Sequence, residues 1–142
     1  MLTSTIIVFL GTLGMALAGN PRSLAARQDQ GVQCICNQHG WTDANLYTIN
    51  KLTRSLPDVG VSTTVGPKNK AELGCFEGST IQLWNDAPTA QTINNHVLAG
   101  YAGDITQKCA HDGDKTCGQK FGPDRTYNVV VRGDECIVRN LG

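Results

Sequence analysis

The chain contains 142 residues, of which twelve are basic and twelve acidic, so its formal net charge at pH 7 is zero. The two signs are interspersed, which excludes the single-sign field that attracts nucleic acid or an anionic membrane. Aromatic residues make up 6% of the chain and do not alternate with basic ones, so no stacking platform for single-stranded nucleic acid is visible.

The N-terminal stretch has the pattern of a secretory signal peptide. Residues 6–18 read IIVFLGTLGMALA, an uncharged apolar run too short to span a bilayer as a helix, and they end in an Ala-Leu-Ala cleavage pattern. Residues 19–30 lack large periodic apolar side chains, which is typical of a disordered leader or pro-segment. We therefore expect a signal peptide over 1–18, a leader over 19–30 and one secreted domain over 31–142, with no membrane span.

Six cysteines follow the expected signal peptide, and this even number predicts three disulfides because the secretory route is oxidising. They are Cys34, Cys36, Cys75, Cys109, Cys117 and Cys136. Zinc is the alternative, but the sequence has no C-x-x-C pair at finger spacing, so we expect no metal. In an extended strand Cys34 and Cys36 point to one side about 7 Å apart, and they should bond to different partners. The spacing leaves the rest of the pairing open.

The first periodic segment covers residues 42–58 and predicts an amphipathic helix. Its apolar stripe is Leu46, Ile49, Leu52 and Leu56. Thr42 or Asp43 is the expected N-cap, and Pro57 should end the helix soon after Ser55. The stripe favours packing on a core over binding a partner.

Strand patterns follow this helix. Residues 59–65 are rich in β-branched side chains and are bounded by glycine. Residues 71–76 and 79–84 flank Glu77-Gly78, which predicts a hairpin. Ile81 and Leu83 alternate with polar or aromatic neighbours, so one face of this strand should point inward.

A second helix is predicted over residues 87–109, with Asp86 as its acidic cap and Pro88 in its first turn. A stripe with steps of four runs along it: Ile93, Val97, Tyr101, Ile105 and Cys109. The cysteine continues the stripe, so its disulfide should lie on the buried side.

Residues 110–116 form a polar loop between Cys109 and Cys117. His111, Asp112 and Asp114 suggest a cation site, but the further oxygen ligands of a calcium loop do not follow at the right distance. We interpret the segment as a solvated turn.

Residues 129–139 contain the tripeptide Arg132-Gly133-Asp134 between two strand-like runs. Glycine at the first central position suits a two-residue type II′ hairpin turn, which explains Gly133-Asp134 without a ligand. The same turn would place the tripeptide at an exposed tip, with Arg132 and Glu135 as a cross-strand pair. Arg132, Gly133 and Asp134 are therefore the candidate binding residues.

A small secreted hydrolase is the rival interpretation, since a ribonuclease needs a histidine and a glutamate, or two histidines, at one phosphate. The available residues are His39, His96, His111, Glu72, Glu77 and Glu135. No local motif joins them, so we expect no catalytic residue and no cofactor. The order of elements favours an α+β two-layer sandwich, with both helices on one face of a mainly antiparallel, disulfide-stapled sheet.

Four stretches carry a resemblance to a known family: GVQC, GCFEGSTIQLW, CAHDGDKTCGQ and TYNVVVRGDEC. In layout they resemble the α/β-sandwich killer toxins of smut fungi and the small cysteine-rich fungal effectors related to them. The chain departs from the toxins in having fewer cysteines and no matching basic residue for toxin activity. The resemblance implies an extracellular protein that binds a host or competitor protein or receptor.

Three hypotheses follow from the sequence. The first is a secreted effector or elicitor that works as a binding module, with residues 132–134 and the loops near 66–70 and 110–116 as contact surfaces. The second is a killer-like antifungal or antimicrobial toxin. The third is a small secreted ribonuclease or other hydrolase.

Overall fold

The structure, a computed structural model, describes residues 31–136. The signal peptide predicted over 1–18, the leader over 19–30 and the end of the chain from 137 lie outside the described residues. Within residues 31–136, two α-helices pack on an antiparallel five-stranded sheet, and three disulfides connect the elements. The predicted α+β two-layer sandwich is confirmed.

The secondary structure of the described residues follows in chain order. The elements are β1 (Val32–Gln33), β2 (Ala44–Asn45), α1 (Leu46–Ser55), a 3-10 turn (Leu56–Val59), β3 (Ser62–Val65), β4 (Lys70–Phe76), β5 (Ser79–Asn85), β6 (Gln91–Asn94), α2 (Asn95–Cys109), β7 (Lys115–Thr116), β8 (Gly118–Phe121), a short turn (Pro123–Arg125) and β9 (Tyr127–Gly133).

The main sheet has the strand order β1-β8-β9-β5-β4, and every neighbouring pair is antiparallel. Two short ladders lie beside it, one between β2 and β7 and one between β3 and β6. The central pair is β5 with β9, matched from Ser79 opposite Gly133 to Asn85 opposite Tyr127. The last strand of the described chain is thus inserted into the middle of the sheet.

The hydrophobic core lies between this central pair and the helices. Ile81 and Leu83 of β5 and Val129 and Val131 of β9 are fully buried in it, together with Leu98 of α2. Successive side chains of a strand point to opposite faces, so the residues between them point away from the helices. Burial of each such aliphatic side chain stabilises the fold by about 1.5–3 kcal/mol.

Helix α1 begins later than the sequence predicts. The N-cap is Asn45, whose side-chain oxygen accepts a hydrogen bond from the backbone N–H of Thr48 at 3.0 Å. The predicted caps, Thr42 and Asp43, lie ahead of β2, which pairs with β7 and holds the chain extended. The predicted stripe is otherwise correct, since Ile49 is buried and the helix ends before Pro57.

Helix α2 is eight residues shorter at its start than the predicted range of 87–109, because residues 91–94 form β6 and pair with β3. Its N-cap is Asn94, whose side chain accepts from the N–H of His96, and the prediction of Asp86 as cap is wrong. The buried stripe consists of Leu98, Ala102, Ile105 and Cys109. Val97, predicted to be buried, is exposed on the flank of the helix.

The hairpin at Glu77-Gly78 is confirmed. Both residues adopt positive φ, at 47° and 71°, between strands β4 and β5. A two-residue turn with two positive φ angles matches the right-handed twist of the strands that it joins, and glycine adopts that conformation without strain.

The disulfides pair Cys34 with Cys109, Cys36 with Cys117, and Cys75 with Cys136. Cys34 and Cys36 have different partners, as predicted, and Cys109 makes its bond on the buried side of α2. Two bridges therefore hold the segment after β1 to the end of α2 and to the start of β8. Three disulfides indicate folding in an oxidising compartment.

Candidate functional site

The tripeptide Arg132-Gly133-Asp134 does not form the predicted hairpin tip. Gly133 is the last residue of β9, pairs with Ser79, and also forms a bridge to Thr42. It is buried, and it is not among the described residues with positive φ, so the type II′ turn is wrong. The residues after it, Asp134 to Cys136, are not strand, and the rest of the predicted second arm, from 137, lies outside the described residues.

A close approach of two backbones explains the glycine. A Cβ atom at Gly133 would lie 2.4 Å from the carbonyl oxygen of Asp43 and 2.5 Å from Oγ1 of Thr42. The N–H of Gly133 donates to the carbonyl of Thr42 at 2.8 Å, and Oγ1 of Thr42 donates to the carbonyl of Gly133 at 3.0 Å. Gly133 therefore lets the segment before β2 pack directly on β9.

The charged ends of the tripeptide bind each other. A guanidinium nitrogen of Arg132 donates to one carboxylate oxygen of Asp134, and the N–H of Glu135 donates to the other at 2.9 Å. The side chain of Arg132 is 17% exposed and that of Asp134 is 37% exposed. The predicted pair of Arg132 with Glu135 is replaced by this shorter-range pair, while the binding role of residues 132–134 stays a prediction.

Arg132 belongs to a group of aromatic and cationic side chains that we call the tryptophan cluster: Trp41, Lys70, Trp84 and Arg132. The two tryptophan rings meet edge to face with centroids 5.9 Å apart. The guanidinium of Arg132 lies 5.7 Å from the Trp41 ring, and the ammonium of Lys70 lies 5.5 Å from the Trp84 ring. Each ring thus has a cation beside it, and both tryptophans of the chain are in the cluster.

The tryptophan cluster lies on the face of the sheet that points away from the helices. Trp84 and Arg132 are next to the core residues Leu83 and Val131 along their strands, and neighbouring side chains point to opposite faces. Both tryptophans are partly exposed. The sequence does not reveal the cluster, because Trp41 comes from a loop that no pattern connects to β5.

Amide side chains continue this face of the sheet. Asn128 donates to Gln119, and Gln119 donates to Gln33, each at 2.8 Å, while the indole N–H of Trp84 donates to Gln82 at 2.9 Å. Oδ1 of Asn128 and Nε of Arg132 are buried without a hydrogen-bond partner in the structure. The face therefore combines aromatic surface with polar groups of both donor and acceptor type.

A shallow groove extends the tryptophan cluster toward the predicted contact loop at 66–70. It is lined by Lys68, Asn69, Lys70, Trp84, Asn85 and Asp86. The loop is held in place because the N–H of Asn85 donates to the carbonyl of Asn69 at 2.8 Å and the N–H of Lys68 donates to the carbonyl of Ala87 at 3.2 Å. The loop and the cluster thus form one continuous surface.

A second set of polar side chains lies around the bridge between Cys36 and Cys117. Nε2 of His111 is 3.3 Å from a carboxylate oxygen of Asp43, and Nδ1 of His111 is 2.9 Å from the carbonyl oxygen of Cys109. Sγ of Cys36, an oxygen of Asp43 and a ring nitrogen of His111 lie within 4.8 Å of one another. Because Cys36 is bonded to Cys117, these three residues do not offer a free thiolate to a metal ion.

The predicted polar loop at 110–116 is a hairpin. His111 and Lys115 exchange two backbone hydrogen bonds, and Asp112 and Gly113 adopt positive φ between them. Asp112 faces Lys115, with 3.8 Å between charged atoms, and the carbonyl of Asp114 accepts from the N–H of Leu46. The hairpin positions His111 against Asp43, an arrangement that sequence spacing does not predict.

The environment of His111 favours its charged form. The hydrogen bond to the carbonyl of Cys109 raises the pKa of His111, burial opposes this, and the hydrogen bond and charge of Asp43 and the charge of Asp112 raise it further. The net pKa lies above the ordinary value of 6.5. An imidazolium between a carbonyl and a carboxylate can donate to both.

This raised pKa predicts a pH-dependent contribution to stability. The contribution is fully present below pH 6.5 and is lost as pH rises through the folded-state pKa of His111, because the unfolded state then binds fewer protons than the folded one. We expect the stability gap between wild type and His111→Gln to shrink from pH 5.5 to pH 8.5. Guanidinium unfolding followed by circular dichroism measures that gap, and His96→Gln, an exposed histidine, is the control. A gap that grows with pH would contradict the prediction.

The other residues considered for hydrolysis do not join His111. His96 is in the first turn of α2 and His111 follows its last residue, so the two are about 20 Å apart along the helix axis. His39 is exposed in the loop before Trp41. Glu72 is in β4, Glu77 in the hairpin turn and Glu135 after β9, and all three are exposed.

Comparison of the chain with protein-family models, curated proteins and solved structures finds no match. The resemblance to killer-toxin-like effectors therefore stays a prediction. Among the described residues, neither helix has the length and apolar character needed to cross a membrane.

Proposed function

We propose that the protein is a secreted effector or elicitor that binds an extracellular host protein or receptor through the helix-free face of its sheet, without chemistry of its own. The tryptophan cluster is the observation that carries this proposal. Trp, Tyr and Arg are the residues in which binding energy concentrates at protein interfaces. Here two tryptophans and an arginine meet on one partly exposed surface.

The scaffold around the cluster supports a binding role. Trp84 and Arg132 belong to the central strands, which are paired along their whole lengths. Trp41 follows Cys36, whose bridge to Cys117 holds the start of its loop. Side chains that are ordered before binding lose less conformational entropy when a partner arrives, which strengthens association.

The chemistry of the surface indicates what the partner offers. Lys68, Lys70 and Arg132 supply cations, of which Arg132 is paired with Asp134, and the partly exposed amide of Gln119 supplies a donor and an acceptor. A partner surface with an apolar centre and acidic groups at its rim would complement this combination.

Under this proposal, Trp84→Ala should weaken the host response. Removing a central aromatic contact costs 2 kcal/mol or more at a typical hot spot, so we expect the dose for a half-maximal response to rise about 30-fold. The response is measured as ion leakage and an oxidative burst after infiltration of the purified protein into plant leaves. Asp134→Glu, which disturbs the pair with Arg132, should weaken the response while keeping the fold.

Tyr47→Ala is the matched control, since Tyr47 is 78% exposed on α1, on the other side of the sheet. It should leave the response unchanged, and circular dichroism should show the same fold for every variant. An unchanged dose response in Trp84→Ala would exclude the cluster as the contact surface. Inhibition of yeast growth would support the toxin alternative, and cleavage of RNA would support the hydrolase alternative.

A further inference from the structure

The side chains next to the bridge between Cys36 and Cys117 can stabilise the two sulfurs after the bond is reduced. Nδ1 of His111 lies 3.9 Å from Sγ of Cys36, and a carboxylate oxygen of Asp43 lies 3.4 Å from Sγ of Cys117. A cationic imidazolium beside a sulfur atom stabilises a thiolate there. A carboxylate beside a sulfur atom accepts a hydrogen bond from a thiol.

We infer that Cys36–Cys117 is a redox-active disulfide, which a dithiol reductant opens while the other two bridges stay closed. The geometry assigns a different state to each sulfur of the open form. Cys36 is a thiolate that faces His111, and Cys117 is a thiol that donates to Asp43. Neither atom loses a polar partner when the bond opens.

The exchange begins at the accessible sulfur. Cys36 is partly exposed, whereas Cys117 is fully buried, so a thiolate of the reductant attacks Sγ of Cys36. The bond between the two cysteines breaks, and Cys117 leaves with the electron pair and takes up a proton. The second thiolate of the reductant then attacks the reductant sulfur that is bonded to Cys36, and Cys36 leaves as a thiolate. The reductant has lost two electrons and two protons, of which one proton is on Cys117 and the other has passed to solvent.

The bridge between Cys34 and Cys109 provides the contrast. Cys34 is exposed and Cys109 lies in the hydrophobic core, so access does not distinguish this bridge from Cys36–Cys117. The difference lies in the open form, because the hydrogen bonds and ion pairs of the described residues place charged side chains against the sulfurs of Cys36–Cys117 and of neither other bridge. A thiolate without a nearby cation is not stabilised, so we expect the other two bridges to stay closed at a reductant strength that opens Cys36–Cys117.

Opening the bridge also affects Trp41. The loop from Asn37 to Gly40 contains three positive φ angles and connects Cys36 to Trp41. Cys34 remains bonded to Cys109, so the strand before the loop stays in place. Release of Cys36 should therefore change the surroundings of Trp41, and tryptophan fluorescence reports that change.

The test is stepwise reduction of the full secreted protein with dithiothreitol, followed by trapping with N-ethylmaleimide and peptide mass mapping. We expect the first two-thiol species to carry label on Cys36 and Cys117, and its fluorescence to differ from that of the oxidised protein. In His111→Gln the equilibrium ratio of open to closed bridge, at one fixed ratio of reduced to oxidised dithiothreitol, should fall about tenfold, the effect of one pKa unit on the Cys36 thiolate. His96→Gln should give the wild-type ratio. First opening at another bridge, or an unchanged ratio in His111→Gln, would overturn the inference.

A measurement on the wild type keeps the test independent of how the variants fold. After selective reduction, the alkylation rate of Cys36 by iodoacetamide is followed from pH 4 to pH 9. The charged groups around this site are His111, Asp43 on the opposite segment, Asp112 in the hairpin, and Lys115, which faces Asp112. A free cysteine has a pKa of about 8.5, and we expect the midpoint of Cys36 reactivity to lie well below that value. A midpoint at the free value would show that His111 does not stabilise the thiolate, and the inference would fail.

Discussion

Replacing Cys34 and Cys109 by serine is expected to lower the free energy of unfolding by about 3 kcal/mol, and removing Cys36–Cys117 as well should raise the loss to about 7.5 kcal/mol. The two bridges span 75 and 81 residues and join almost the same two parts of the chain. When one of them is intact, the other closes a loop of only about ten residues in the unfolded chain. When neither is intact, the full long loop is free.

The losses should therefore not be additive. Each single removal costs about 3 kcal/mol, whereas the second removal costs about 4.5 kcal/mol, because it frees the long loop. Domains of this size have free energies of unfolding of about 5–15 kcal/mol, so the variant without both bridges should be largely unfolded at the lower end of that range.

Guanidinium unfolding of the two single-bridge variants and the double variant, followed by circular dichroism, measures the three losses. The variant with Cys75→Ser and Cys136→Ser is the control, since its bridge spans 61 residues and has no parallel partner in the described structure. It should cost about 4 kcal/mol, more than either parallel bridge alone. Strictly additive losses for the parallel pair would contradict the loop argument.

The parallel arrangement also bears on the proposed redox site. A bridge that opens reversibly must leave the protein folded, and Cys36–Cys117 meets this condition because Cys34–Cys109 restrains nearly the same loop. The chain thus has one bridge next to ionisable groups and a neighbouring bridge that is anchored in the hydrophobic core through Cys109. The first can serve exchange while the second preserves the fold.

Local patterns were sufficient to predict much of the fold. The stripe from Ile49 to Leu56, the turn residues Glu77-Gly78 and the alternation around Leu83 each depend on neighbours in sequence, and each was interpreted correctly. Strand geometry also predicts that Cys34 and Cys36 bond to different partners, and the disulfides confirm this.

The failures come from competition between local and long-range contacts. Residues 91–94 fit the four-residue steps of a helix, but Asn94 is the better cap and β3 is available as a partner strand. Strict steps of four drift around a helix by about 40° each, whereas the observed stripe of Leu98, Ala102, Ile105 and Cys109 mixes steps of four and three, which leaves Val97 exposed. Tertiary pairing outweighed helical periodicity here.

The candidate sites could not be predicted because their members are remote in sequence. Cys36 and His111 are 75 residues apart, and Asp43 and Cys117 are 74 apart. Trp41 and Arg132 are likewise brought together by the insertion of β9 into the centre of the sheet. The sequence predicted residues 132–134 as a hairpin tip, because it could not show that β9 runs on through Gly133.

Gly133→Ala is expected to lower the free energy of unfolding by about 2–3 kcal/mol, the typical cost of inserting a methyl group where there is no room. The new Cβ would clash with the backbone of Asp43 and with Thr42, and backbone atoms cannot rotate away as a side chain does. Relief requires separating β9 from the segment that carries Trp41 and Asp43. The substitution should therefore disturb the tryptophan cluster and the surroundings of His111 together.

Gly100→Ala is the matched control, because Gly100 is exposed within α2 and a Cβ there meets no atom within 4 Å. Alanine is the better helix former, so this variant should gain about 0.5–1 kcal/mol. Opposite signs for the two substitutions, measured by guanidinium unfolding, support a structural requirement for Gly133. Equal stability of Gly133→Ala and wild type would mean that the segment before β2 yields easily.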